Sequence, residues 1–127
     1  MELLLSGTIK STNYDRVVDL DRIEFDDKKN KMKVYLEYPR LGNISQRLTD
    51  KDSISVTITD DVEQKKKPTK DMKMVLNSTL YMIRKADDDK GNIVQFSSGG
   101  IMLRLISSTK KIPFRLRGNR NYKIFIH

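Results

Sequence analysis

The stretch NKMKVYLEY, Asn30 to Tyr38, sets Met32, Val34, Leu36 and Tyr38 on one face and Lys31, Lys33, Tyr35 and Glu37 on the other. Successive side chains of an extended chain point to opposite sides, so this period of two reads as a strand with one buried and one wet face. The same period runs through SISVTIT, where Ile54, Val56 and Ile58 alternate with Ser and Thr. It returns in NYKIFIH, where Tyr122, Ile124 and Ile126 alternate with Lys123 and Phe125. No segment carries an apolar stripe at helical spacing over three turns. The pattern predicts eight strands, near 2–10, 15–26, 30–38, 53–60, 73–85, 92–98, 100–107 and 120–126. Half-buried antiparallel strands leave unpaired edges unless the sheet closes. The expected fold class is therefore all-β, a single eight-stranded antiparallel barrel formed by one domain over 1–127.

The second predicted strand changes phase, with Val18 and Leu20 on even positions and Ile23 and Phe25 on odd ones. A bulge near Asp21 is expected to put all four on one face, and bulged, bent strands are how small barrels close. DDKKNK, 26–31, reads as the turn between strands two and three. DDDKGN, 87–92, reads as the turn between five and six, with Gly91 free to take a positive φ. Of the longer connections, 39–52 has room for a helical turn around Ile44 to Leu48. The other, TDDVEQKKKPTKDM at 59–72, reads as a mobile charged loop.

A chain of 127 residues with no cysteine has neither a disulfide framework nor a thiolate metal site. MELLLSG lacks the basic flank and length of a secretion signal, and no apolar run approaches a bilayer's thickness. A cytoplasmic location is expected. The net charge is +8, and all of the surplus lies in the last 38 residues, which contain no acid. Such asymmetry points to an acidic partner, either nucleic acid or an acidic protein surface.

The inventory for catalysis is almost empty. The only histidine, His127, is the last residue, and without cysteine the usual nucleophile–base pairs cannot be assembled. The acidic runs at 26–27 and 87–89 sit in predicted turns and do not follow a calcium loop's alternation. No catalytic residue, metal ligand or cofactor is expected.

FSSGGIMLRL, Phe96 to Leu105, pairs Gly99 with Gly100 ahead of an apolar run. Neither phosphate-binding glycine spacing is present, and the residues after the pair are strand-like. The glycines suit an abrupt reversal between strands, and they also leave a bare patch where another backbone could lie close. KKIPFRLRGNRNYK, 110–123, holds Lys110, Lys111, Arg115, Arg117 and Arg120 with Phe114 and Tyr122 among them. Those cations are a candidate contact for single-stranded DNA or RNA, whereas alternation assigns Tyr122 to the core.

Several segments together resemble a known family. FSSGGIMLRL is similar to the SYGGLLMRL signature of the eighth small subunit of archaeal and eukaryotic DNA-directed RNA polymerases. NYDRVVDLDRI, 13–23, resembles that family's FDRVSRL segment. KMKVYLEY, DKDSISVTITD and LNSTLYMIRKADDD are similar, in order, to its following strands, and NYKIFIH to its closing strand. The short lysine-rich segment at 59–72, where eukaryotic members carry a longer acidic connection, resembles the archaeal form. The resemblance implies a barrel of oligonucleotide-binding (OB) type and a non-catalytic subunit that docks on the largest polymerase subunit and supports assembly. It also implies a docking patch at Ser97, Ser98, Gly99, Gly100, Met102 and Arg104.

Overall fold

Two strands in this chain are long enough to bend between two partners, and their bends close the sheet. The computed structural model describes residues 2–39, 49, 51–60, 74–85, 91–108 and 121–127. Eight strands follow in order: β1 (Glu2–Asp15), β2 (Leu20–Asp27), β3 (Met32–Pro39), β4 (Ser53–Asp60), β5 (Met74–Lys85), β6 (Asn92–Ser98), β7 (Ile101–Ser107) and β8 (Asn121–Ile126). They form one closed antiparallel barrel in the order β1-β2-β3-β7-β6-β5-β8-β4, with β4 returning to β1. Two meanders, β1–β2–β3 and β5–β6–β7, join through β3 and β7, and β4 and β8 fill the gap on the other side. Among the described residues there is no helix, and so none long and apolar enough to cross a membrane.

The first half of β1, Glu2 to Thr8, pairs with β4, and the second half, Ile9 to Asp15, pairs with β2. The register slips between Ile9 and Ser11, which leaves Lys10 as the bulged residue. β5 does the same: Met74 to Thr79 pairs with β8, Thr79 to Lys85 pairs with β6, and the register slips between Leu80 and Met82. An extra residue on one strand bends it and raises its twist, and here each bend falls where a strand exchanges one neighbour for another.

The bulge expected near Asp21 is thus in β1, because β2 pairs with β3 without a shift from Leu20 to Asp27. The phase change has a different origin. Strand one runs on to Asp15 and strand two starts at Leu20, so Arg16 to Asp19 form a turn and Val18 is exposed. Asp19 takes φ 52°, a conformation that Asp tolerates better than most residues. Asp15 Oδ1 accepts from the Val17 N–H at 2.9 Å, and the Tyr14 hydroxyl donates to Asp19 Oδ1 at 2.6 Å. The turn at 28–31 is as expected, with Lys31 at φ 55°. Asp27 fixes it by accepting from both the backbone and the side chain of Asn30. Residues 59 and 60 belong to β4. The rest of the expected loop, the helical turn at 44–48 and residues 87–90 of the expected turn at 87–92 lie outside the described residues. Gly91 does not take the positive φ expected of it; its lack of a side chain serves a close approach to the Ser107 carbonyl instead.

The inward positions fill the barrel. Leu5, Ile9, Ile23, Phe25, Val34, Leu36, Val56, Ile58, Leu80, Phe96, Leu103 and Ile124 are buried in one cluster to which every strand contributes. Burying such a side chain is worth roughly 1.5–3 kcal/mol, so the alternation read from sequence is also the main source of stability. Phe125, on the outward phase of β8, is buried as well, between Thr57 on one side and Val75 on the other. Sequence alternation placed it on the wet face.

Candidate docking site

Ser98 pairs with Ile101, so Gly99 and Gly100 are the whole loop between β6 and β7. Their φ angles are +59° and +94°. Positive φ at both central positions is the signature of the primed two-residue turn, whose twist matches the flanking strands. A Cβ added at either glycine would meet nothing within 4 Å. The pair is therefore required by the backbone conformation, and it also leaves an open, side-chain-free tip.

The tip is tied down on both sides. The Ser98 hydroxyl donates to the Asn77 carbonyl of β5. On the other flank β3 and β7 pair only as far as Leu36 and Leu103. Beyond that point the Glu37 carboxylate takes over as acceptor and receives the Met102 N–H at 2.8 Å. The hairpin is thus bonded to a neighbouring strand on each flank.

Register then decides which of the expected docking residues meet. Ser97 lies opposite Met102 and Gln95 opposite Arg104, all on the outward phase. Ser97, Met102 and Arg104 share one outer face, and the glycines cap its end. Ser98 is on the other phase and serves the tip through Asn77. Lys110, Lys111, Arg115, Arg117 and Arg120, the expected nucleic-acid contacts, lie outside the described residues, as does Phe114. Tyr122 is a core residue, as alternation indicated.

The outer face contains residues that sequence reading missed. Gln95 is buried, and its carboxamide, oriented with the oxygen toward Arg104, accepts from Nε and Nη2 of Arg104 at 2.9 Å each while its nitrogen meets the Tyr81 hydroxyl. Gln95 is the one polar residue in the IVQF run, and its outward phase was the available signal. Beside Arg104 lies a groove of about 280 Å³ across β1, β2, β3 and β7, lined by Arg22, Glu24, Tyr35, Glu37, Met102 and Arg104 among others.

Charges along this groove are largely matched. Arg22 Nη1 is 2.8 Å from Asp15 Oδ2, and its Nε is 3.5 Å from Glu37. The Arg22 hydrogen bond, helped by the Val17 N–H, holds the Asp15 carboxyl below its ordinary pKa. Glu24 lies 3.9 Å from Lys10. Burial, with the neighbouring Glu24 charge second, pushes the Tyr35 hydroxyl above its ordinary value, so it stays a neutral donor. Among the described residues no group of three or more His, Cys, Asp or Glu side chains could hold a metal ion. No protein-family model matches the chain, and no curated protein does.

Proposed function

We propose that this chain is a non-catalytic accessory subunit of a multi-subunit DNA-directed RNA polymerase, of the archaeal kind, acting in the cytoplasm. In this reading it is a barrel of OB type that docks on the largest subunit and supports assembly of the complex. Nucleotide addition belongs to the large subunits. The observation that carries the reading is the β6–β7 hairpin. Its GG-IMLRL sequence is, with the YDRV box at 14–17, the most specific part of the family resemblance, and its tip is an open turn, bonded on both flanks, beside a charge-matched outer face. Bare backbone at a strand end lets another polypeptide approach closely. The test is recovery of the tagged full-length chain from its own cells, with partners identified by mass spectrometry. Near-equal amounts of the large polymerase subunits, retained at moderate salt, are expected. Their absence overturns the reading.

The cation surplus of the last 38 residues favours a second reading, a stand-alone barrel that binds single-stranded DNA or RNA through Lys110, Lys111, Arg115, Arg117 and Arg120. Phosphate neutralisation releases counterions, so such binding weakens steeply with salt. An oligonucleotide titration at two salt concentrations separates the two readings.

A further inference from the structure

Arg104 differs from the other cations around its groove. Arg22 is bound to Asp15 and faces Glu37, and Lys10 is 3.3 Å from Asp26 and 3.9 Å from Glu24. Arg104 has no carboxylate within ion-pair distance among the described residues. Its partner is the neutral Gln95. A guanidinium offers five N–H donors, and the Gln95 oxygen occupies one on Nε and one on Nη2. The remaining donors belong to a side chain that lines the groove. Gln95 is only 5% exposed and is itself held by Tyr81, so Arg104 is already oriented before anything binds. Pre-ordering of this kind removes part of the entropic cost of association.

We infer that the docking partner presents a single acidic side chain, Asp or Glu, to Arg104 in this groove. The inference rests on the docking reading above and names the chemistry of the contact. A planar carboxylate matches the fork of a guanidinium. Of the two cations that line the groove, Arg22 and Arg104, only Arg104 lacks a carboxylate among the described residues, and one negative charge balances it. A nucleic-acid backbone fits less well, because Glu24 and Glu37 line the same groove and repel a chain of phosphates. Met102 and Tyr35, which also line it, supply apolar surface for a residue flanking the partner's carboxylate.

The test uses the tagged full-length chain expressed in its own cells, as wild type, Arg104→Gln and Arg104→Lys, with thermal melts of the purified proteins as the folding control. Arg104→Gln is expected to melt like wild type and to lower recovery of the largest polymerase subunit by roughly tenfold or more, the usual loss for a charge-assisted hydrogen bond. Complexes formed by Arg104→Lys are then treated with a carbodiimide, which couples an amine directly to a carboxylate. A covalent link between the lysine at position 104 and an Asp or Glu of the largest subunit is expected. Links confined to this chain's own Glu24 or Glu37 overturn the inference. So does recovery by Arg104→Gln equal to wild type, or recovery abolished by nuclease. If the wild-type chain brings down no polymerase subunit, the docking reading itself fails and the inference goes with it.

Discussion

The rings of Phe96 and Tyr122 meet edge to face, with centroids 5.4 Å apart and planes at 83°. Phe96 comes from β6 and Tyr122 from β8, strands that β5 separates in the sheet, so the pair reaches across β5 inside the barrel. Edge-to-face pairs add about 0.5–1.5 kcal/mol to the burial of the rings. Tyr122 is therefore committed to the core and has no free face for a stacked base. Phe96→Ala should cost about 3–5 kcal/mol. Tyr122→Ala should destabilise comparably while leaving any oligonucleotide affinity of the folded protein unchanged. Urea denaturation and an oligonucleotide titration of the same samples measure the two effects. A Tyr122→Ala protein that melts like wild type but loses oligonucleotide binding would reverse the assignment.

Two glycines limit how closely strands can approach. A Cβ at Gly91 would lie 1.7 Å from the Ser107 carbonyl oxygen and 2.9 Å from its carbon. A Cβ at Gly7 would lie 2.4 Å from the Asp26 carbonyl oxygen. Both clashes are with backbone, which a side-chain rotation cannot relieve. Gly91→Ala should force the Asn92–Ser107 end of β6 and β7 apart and cost about 3 kcal/mol or more. Gly7→Ala, beside the β1 bulge, should cost about 1–3 kcal/mol. The urea midpoints of the two variants test both the direction and the order.

How far the fold can be read from the chain depends on the range of the interaction involved. Strand identity depends on alternation within five to eight residues, so β3, β4 and β8 were legible from Met32, Val34 and Leu36, from Ile54, Val56 and Ile58, and from Ile124 and Ile126. The β1–β2 turn was hidden because Arg16 to Asp19 include no glycine, proline or asparagine. That turn is held by side-chain bonds from Tyr14 and Asp15. The bulge at Lys10 left no trace, since the residues after it, Ser11, Thr12 and Asn13, are all polar and read the same in either register. Within the site, the facing of Gln95 and Arg104 follows from a two-residue loop at Gly99–Gly100 and could have been counted off the sequence. The bond from the Met102 N–H to Glu37 depends on β3 lying beside β7, a pairing 65 residues apart that no local pattern encodes.

The primed turn separates fold from docking. Asparagine is the side-chain-bearing residue best suited to the first position of such a turn, and open space surrounds Gly99. Gly99→Asn should therefore melt within about 0.5 kcal/mol of wild type while placing a side chain on the tip and, under the proposed docking, lowering recovery of the polymerase. Gly100→Val should instead cost about 1–3 kcal/mol, because a β-branched residue at φ +94° is strained whatever surrounds it. Melting curves and recovery measured on both variants check this. Full recovery by Gly99→Asn would remove the tip from the docking surface.

Asp27 gives the barrel an acid-sensitive joint. Its carboxylate is buried at the end of β2 and accepts from the Ser6 N–H at 2.9 Å, the Asn30 N–H at 2.8 Å and the Asn30 side chain at 3.0 Å. Burial alone disfavours the charged form. The bonds from Asn30, Ser6 and Lys29 outweigh it and hold the pKa below the ordinary 3.8. A carboxyl whose folded pKa is depressed binds fewer protons in the native state than in the unfolded one. Its contribution is complete above pH 3.8 and drains away as the pH falls through the lowered native value. Asp27→Asn removes the charge and keeps the shape, so it should cost about 1–3 kcal/mol at pH 7. The cost should shrink steadily below about pH 4, where the wild type loses the same charge. Urea midpoints of both proteins between pH 2 and pH 7 should therefore converge at the acid end. Parallel curves across that range would mean that Asp27 titrates alike in the folded and unfolded chain, so that the bonds from Asn30 and Ser6 give its ionised form no advantage.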